Sequence, residues 1–166
     1  MKPLPTPAKR GRPANPKPVR DLGTAELTIR RQLAVGAGDP VLSTTPLGIM
    51  LARELIDLDW YAAGEAYRRL YGSASGRARD CGLDPIGSAG TDEALERITE
   101  QYRALTDRLI RRGLPVLREV VNTCVFQERP VWLMLYLHNP HPNSWKIHSK
   151  HIDCISLFAG LEELAR

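Results

Sequence analysis

All four histidines of the chain fall in one short window, His138, His141, His148 and His151, and Cys154 stands three residues after the last of them. Neutral imidazoles and a thiolate in that number are a donor set for tetrahedral zinc. Against a metal stand the absence of a paired-cysteine motif and the stiffness that Asn139-Pro140 and Pro142 give the intervening turn. The same residues also have an ordinary reading, with His148 and His151 on the surface beside Lys146 and Lys150, and Cys154 as a small core side chain. A nuclease of the HNH type would need its histidines and asparagine further apart. The expectation is no metal, with these five residues as the candidates. Gly72-Ser73-Ala74-Ser75-Gly76 has the outline of a nucleophile elbow, but alanine occupies the nucleophile's position. No phosphate-binding loop, dinucleotide fingerprint or HExxH is present. Glu96, Glu100, Asp107 and Glu119 are scattered over predicted helix surfaces, so nothing in the sequence asks for catalysis or for a cofactor.

The sharper chemistry lies at the N-terminus. Residues 1–20 hold Lys2, Lys9, Arg10, Arg12, Lys17 and Arg20 and no acid, a charge of +6. Residues 21–166 hold 17 basic and 19 acidic groups, a balance of −2, so the net +4 belongs to this stretch alone. Within it runs Lys9-Arg10-Gly11-Arg12-Pro13, which resembles the AT-hook, a short DNA-binding motif built on Arg-Gly-Arg-Pro. An A·T minor groove is narrow, strongly negative and free of the guanine amino group, so an extended peptide can lie on its floor. Gly11 has no Cβ to meet the groove wall, and Pro13 keeps Arg12 extended. Arg10 and Arg12 then run along the groove, while Lys9, Lys17 and Arg20 reach phosphates. Ala14 and Asn15 follow the core where such hooks usually carry further basic residues, which lowers the affinity expected. The plainer reading is a cationic tail that aids solubility or contacts RNA or any acidic partner.

A second basic group comprises Arg68 and Arg69 at the end of a predicted helix and Arg77 and Arg79 in the loop beyond. Together they could form a patch for DNA, although arginines at a helix end also simply complement its dipole. The second and third predicted helices are close enough in sequence for a helix-turn-helix pair. Trp60 and Tyr61 stand where a base-reading helix needs polar side chains, which weakens that idea.

These residues must be positioned by the elements around them. Six of the thirteen prolines lie in the first 18 residues with almost no apolar side chains, so residues 1–20 are expected to be a disordered, extended arm. Residues 21–166 then form one helical domain. Thr24 caps a first helix carrying Leu27, Arg30, Arg31 and Leu33 and ending at Gly36 to Pro40. Thr44 or Thr45 caps a second with Leu47, Met50, Leu51, Leu55 and Leu58 on one face. Asp57 or Asp59 opens a third through Trp60, Gly64, Tyr67 and Tyr71, followed by a loop from Gly72 to Gly90. Thr91 to Arg112 is the clearest helix, with a single seam of Leu95, Ile98, Tyr102, Leu105 and Leu109. Val116 to Phe126 resumes as helix with Leu117, Val120, Val121 and Cys124 inward, and Val131 to Leu137 fits a helix turn or a strand equally. Lys146 to Ala165 reads as one amphipathic helix through Ile152, Ile155, Phe158, Leu161 and Leu164. The fold class is all-α, a bundle of about five to six helices.

The longest apolar run, Val131 to Leu137, is far short of the roughly twenty residues of a membrane span, so no membrane partner is expected. Charge without an apolar stretch behind it is not a secretory signal. Three cysteines suit a reducing, cytoplasmic setting better than a disulfide framework. Pro46-Leu47-Gly48 with Leu51-Ala52-Arg53, Ala63-Gly64-Glu65-Ala66-Tyr67-Arg68, Val116-Leu117-Arg118-Glu119-Val120 with Cys124-Val125-Phe126, and Leu161-Glu162-Glu163-Leu164 are the segments of a longer likeness. In their order the chain resembles small helical proteins of prophage and gene-transfer-agent regions in alphaproteobacteria, in which a basic tail precedes a helical domain. That resemblance implies DNA binding in transcriptional control of phage-like genes, with contact to RNA polymerase and homo-oligomerisation as further expectations. The competing class is a phage-associated structural or protein-interaction component with a non-specific nucleic-acid-binding tail.

Overall fold

The computed structural model describes residues 24–76 and 92–166, and among these every regular element is helical. Helix α1 (Ala25–Val35) starts where the Thr24 hydroxyl accepts from the Leu27 amide at 3.3 Å and stops at Gly36, whose φ of 65° suits glycine. Its last carbonyls are satisfied from a distance, because Arg53 donates to Ala34 O at 2.9 Å and Leu33 O at 2.5 Å. Only Val35 of α1 is buried, so Leu27 and Leu33 face solvent where periodicity alone would have turned them inward. A 3₁₀ turn (Pro40–Thr44) leads to α2 (Pro46–Ala52), with Thr45 Oγ1 capping Gly48 N at 2.9 Å.

The sequence pattern carries α2 on to Leu58, and the structure corrects this. The helix stops at Ala52, Glu54 takes a left-handed φ of 57°, and Asp57 opens a new helix by accepting from Trp60 N at 2.8 Å. Leu58 is thereby the exposed first residue of α3 (Leu58–Ala74) rather than an apolar contact of α2. α3 runs past Gly72, which is buried inside it, so the loop expected from Gly72 begins later. α4 (Asp92–Arg112) lies antiparallel to α3, since the Tyr67 hydroxyl meets Thr106 Oγ1 at 3.2 Å and the Tyr71 ring meets Tyr102.

Gly113, at φ 128°, breaks the chain into α5 (Leu114–Val120), two residues before the helix start that the sequence suggests. α5 widens into a π-helical turn (Val121–Val125), closed by Phe126 N donating to Val121 O at 3.1 Å. The wide turn puts three consecutive side chains, Thr123, Cys124 and Val125, into the interior. The ambiguous run becomes helix α6 (Val131–His138).

The single long helix expected over 146–165 is two, α7 (Pro142–His148) and α8 (Ile152–Ala165), because the chain turns at Ser149 and His151 caps afresh. Restarting the helix there rotates its inward face. Cys154, Leu157 and Leu161 are buried, and Ile152 and Ile155 point to solvent, contrary to the seam expected of them. With this division and α6 assigned, the described residues hold eight α-helices.

Helices α3, α4, α5 and α8 form the bundle. α8 touches all three others, and Gly160 makes that possible. A Cβ built there would lie 2.2 Å from Val120 Cγ2 and 3.1 Å from Val116 Cγ1 on α5. Gly64 on α3 plays the same part, with Leu47 Cδ1 at 2.5 Å and Leu161 Cδ2 and Cys124 Sγ at 3.3 Å from its would-be Cβ. On the neighbouring side of α8, Phe158 gathers all three tryptophans. The rings of Trp60 (α3), Trp132 (α6) and Trp145 (α7) stand 5.5, 6.0 and 5.8 Å from it. This aromatic joint fastens the α6–α7 hairpin to the bundle.

At the far end of α8, Glu163 accepts from Arg112 at 2.8 Å and from Arg108 at 3.1 Å. The hydrogen bond from Arg112 and then that from Arg108 hold its carboxyl below the usual glutamate range. A depressed folded pKa means stability that is present at neutral pH and lost as pH falls through that value. Glu163→Gln therefore lowers Tm at pH 7, and the gap from wild type narrows on acidification below about pH 4, as thermal melts followed by circular dichroism would show. Gly160→Ala overpacks the α8–α5 contact and costs about 1–3 kcal/mol, read from the shift in urea midpoint.

Candidate nucleic-acid interface

The residues singled out for DNA divide sharply. Lys9, Arg10, Gly11, Arg12, Pro13 and Lys17, together with the whole arm 1–20, lie outside the described residues, as do Arg77 and Arg79. Arg68 and Arg69 are described, on the C-terminal half of α3. They are neighbours in sequence, and successive helical residues point about 100° apart, so their surroundings differ.

Arg68 is a packed residue, with a side chain only 15% exposed that reaches Glu65 at 3.4 Å. The Gln127 side-chain amide, assigned with its oxygen toward the guanidinium, lies against it, 2.8–2.9 Å from the Arg68 nitrogens. Gln127 itself sits at a φ of 57°, a left-handed conformation costing a non-glycine residue on the order of 1 kcal/mol. The Arg68 contact offsets that cost and ties the exit of the wide turn to α3. Arg69, by contrast, is exposed. Tyr61 lies within the field of both arginines and of Glu65, and burial followed by Glu65 raises its pKa. Of the pair, only Arg69 lies open to solvent.

The histidine window also resolves into particular roles. His138 ends α6, His141 is the N-cap of α7, His148 ends α7 and His151 is the N-cap of α8. His141 Nδ1 accepts from Asn143 N at 3.1 Å, while Ser144 Oγ accepts from His141 N at 3.2 Å, a reciprocal cap. His151 Nδ1 faces Asp153 N at 3.4 Å. Cys154 is fully buried, and burial pushes its thiol up to about 12. Burial, with Glu65 adding to it, likewise raises the thiol of Cys124. Both are core thiols. Among the described residues, no three His, Cys, Asp or Glu side chains come together as a metal site. All four histidines of the window stand at helix ends.

Glu119 is buried on α5 against Arg118 at 3.0 Å, and Arg118 also reaches Asp153 at 3.5 Å. Glu96, Glu100 and Asp107 are exposed on α4. The clefts of the described residues are shallow. One of about 470 Å³ runs along α5 between Leu114, Leu117, Val121 and Asn122, and another of about 590 Å³ lies between the start of α3 and the end of α8. No helix of the described residues is long and apolar enough to cross a membrane.

The fold defines an all-α bundle with a capped helical hairpin docked on one side. No family model, curated protein or solved structure matches the chain.

Removing the two arginines separates their roles. Arg68→Ala leaves Glu65 and Gln127 without their partner and costs about 1–3 kcal/mol. Arg69→Ala stays within about 0.5 kcal/mol of wild type, both read from urea midpoints.

Proposed function

We propose that the protein binds DNA through its N-terminal arm and serves as a transcriptional regulator or accessory factor of phage-like genes. The observation that carries this reading is Lys9-Arg10-Gly11-Arg12-Pro13, set in twenty residues with six cations and no acid. A cationic arm on a folded body has a clear division of labour, in which the arm lies in the minor groove and the body fixes its position. The body carries a small negative balance, −2 over residues 21–166, so its phosphate affinity is concentrated in the arm. Arg69, exposed on the helix that leads toward Arg77 and Arg79, adds to the cationic set. The bundle supplies contacts to a second copy or to RNA polymerase, and the work is recognition, carried out in the cytoplasm without a cofactor.

A second reading, a phage-associated structural or protein-interaction component with a non-specific nucleic-acid handle, is favoured by the aliphatic side chains exposed on α1 and α6. One titration separates the two. Fluorescence anisotropy with AT-rich and GC-rich duplexes is compared for the full chain, an Arg10→Ala/Arg12→Ala variant and a chain starting at Asp21. The expected result is tighter binding to AT-rich DNA, loss of that preference in both altered chains, and a salt slope reduced by about 0.9 for each phosphate contact removed. Equal binding to both duplexes leaves the non-specific handle, and no binding at moderate salt overturns the DNA reading.

A further inference from the structure

α6 (Val131–His138) is apolar on every side, which in a water-soluble bundle means a helix that is covered on every side. Its inner face is covered, with Trp132 and Leu133 buried. Its outer face is open among the described residues, where Val131 is 67% and Met134 and Leu135 each 53% exposed. Ile147 on α7 and Ile152 at the start of α8 are 70% and 66% exposed on the same hairpin segment. The charge of this segment is one-sided. From Arg129 to Ile152 there are Arg129, Lys146, Lys150 and four histidines, and no acid at all. An exposed aliphatic surface on a cationic segment, bordered by Glu128 and Asp153, fits an apolar surface that carries anions.

The chain carries such a surface at its opposite end. Tyr71 packs against Tyr102 in the antiparallel α3–α4 pair, so Ala74, where α3 stops, falls level with Thr99. Everything in α4 before Thr99 runs on past the end of α3. This overhang continues the apolar seam of α4 with Leu95, 51% exposed, and Ile98. It carries Asp92, Glu93 and Glu96 against Arg97 alone, and Glu100 follows it, level with the last turn of α3. Asp92 and Glu93 suit the positive end of the helix, and Glu93 also reaches Arg97 at 3.9 Å. Glu96 and Glu100 lie beyond the first turn and have neither reason to be acidic.

The two surfaces cannot meet within one molecule. The α6–α7 hairpin is fastened at Trp60, near the start of α3, and the overhang begins beyond Tyr71, about 16 Å further along that helix. We propose that they meet between molecules, the acidic overhang of α4 in one copy docking on the basic, aliphatic α6–α7 face of the next. Because each patch of one copy meets the other patch of its neighbour, the contact closes as a reciprocal pair or a ring, or runs on as a filament. This assembly stands independently of the DNA reading, since it uses neither the arm nor Arg69.

The test is a charge swap in the full chain, without DNA, followed by sedimentation velocity over a range of protein and salt concentrations. Wild type self-associates, and salt weakens the association. Lys146→Glu/Lys150→Glu and Glu96→Lys/Glu100→Lys each raise the dissociation constant about tenfold or more, with helical circular dichroism unchanged. Mixing the two variants restores assembly, as does combining all four changes in one chain, because each mixture or combination again opposes unlike charges. Wild type that stays monomeric at low salt overturns the proposal, as does a reversal that changes nothing or a folded pair that fails to recover on mixing. Monomeric wild type that sediments with phosphatidylglycerol vesicles, and loses this with Lys146→Glu/Lys150→Glu, would give the surface to lipid and likewise overturn it.

Discussion

The closeness of α8 to α5 is the constraint from which the rest of the architecture follows. A helix that must touch three others at once can do so only if its contact faces are thin, and Gly160 makes one face thin against Val116 and Val120. With the backbone held that near, Cys154, Leu157 and Leu161 are all drawn into the interior, and Phe158 is left on the adjoining face where the tryptophans converge. Gly64 repeats the device on α3, where Leu47 of α2 and, beyond it, Cys124 and Leu161 fill the space a side chain would take. Neither glycine is there for backbone freedom. Each is there for the space that a Cβ would fill.

Polar groups in the body are used chiefly to finish helices and to join them. Arg53 closes α1 from twenty residues away, Arg68 and Gln127 join α3 to the wide turn, and Arg108 and Arg112 share Glu163. Two histidines do what serine, threonine or aspartate usually do at a helix start.

Much of the bundle was legible in the sequence. The seam of α4 through Tyr102 and Leu109 and the cap at Thr24 follow from periodicity and side-chain chemistry alone, while the caps of α2 and α3 were narrowed to Thr44 or Thr45 and to Asp57 or Asp59. What was not legible depended on partners distant in sequence. Periodicity shows that Leu27 and Leu33 are apolar positions of α1, but only the fold shows that little packs over them. The break between α7 and α8 was hidden because histidine is an uncommon N-cap, so His151 looked like the interior of one long helix. Arg68 and Arg69 are indistinguishable as a dipeptide, and the partner that separates them, Gln127, comes from a different part of the chain. The overhang of α4 was likewise invisible until the end of α3 was fixed.

The convergence at Phe158 has an optical consequence. All three tryptophans of the protein share that one neighbour, so the intrinsic fluorescence of the molecule comes from a single place. Emission reports whether the α6–α7 hairpin is seated on the bundle. It is nearly blind to α1 and to the first turns of α4, which lie away from that joint. Spectroscopically the protein is a single-site sensor of its own hairpin, and light and ellipticity need not change together.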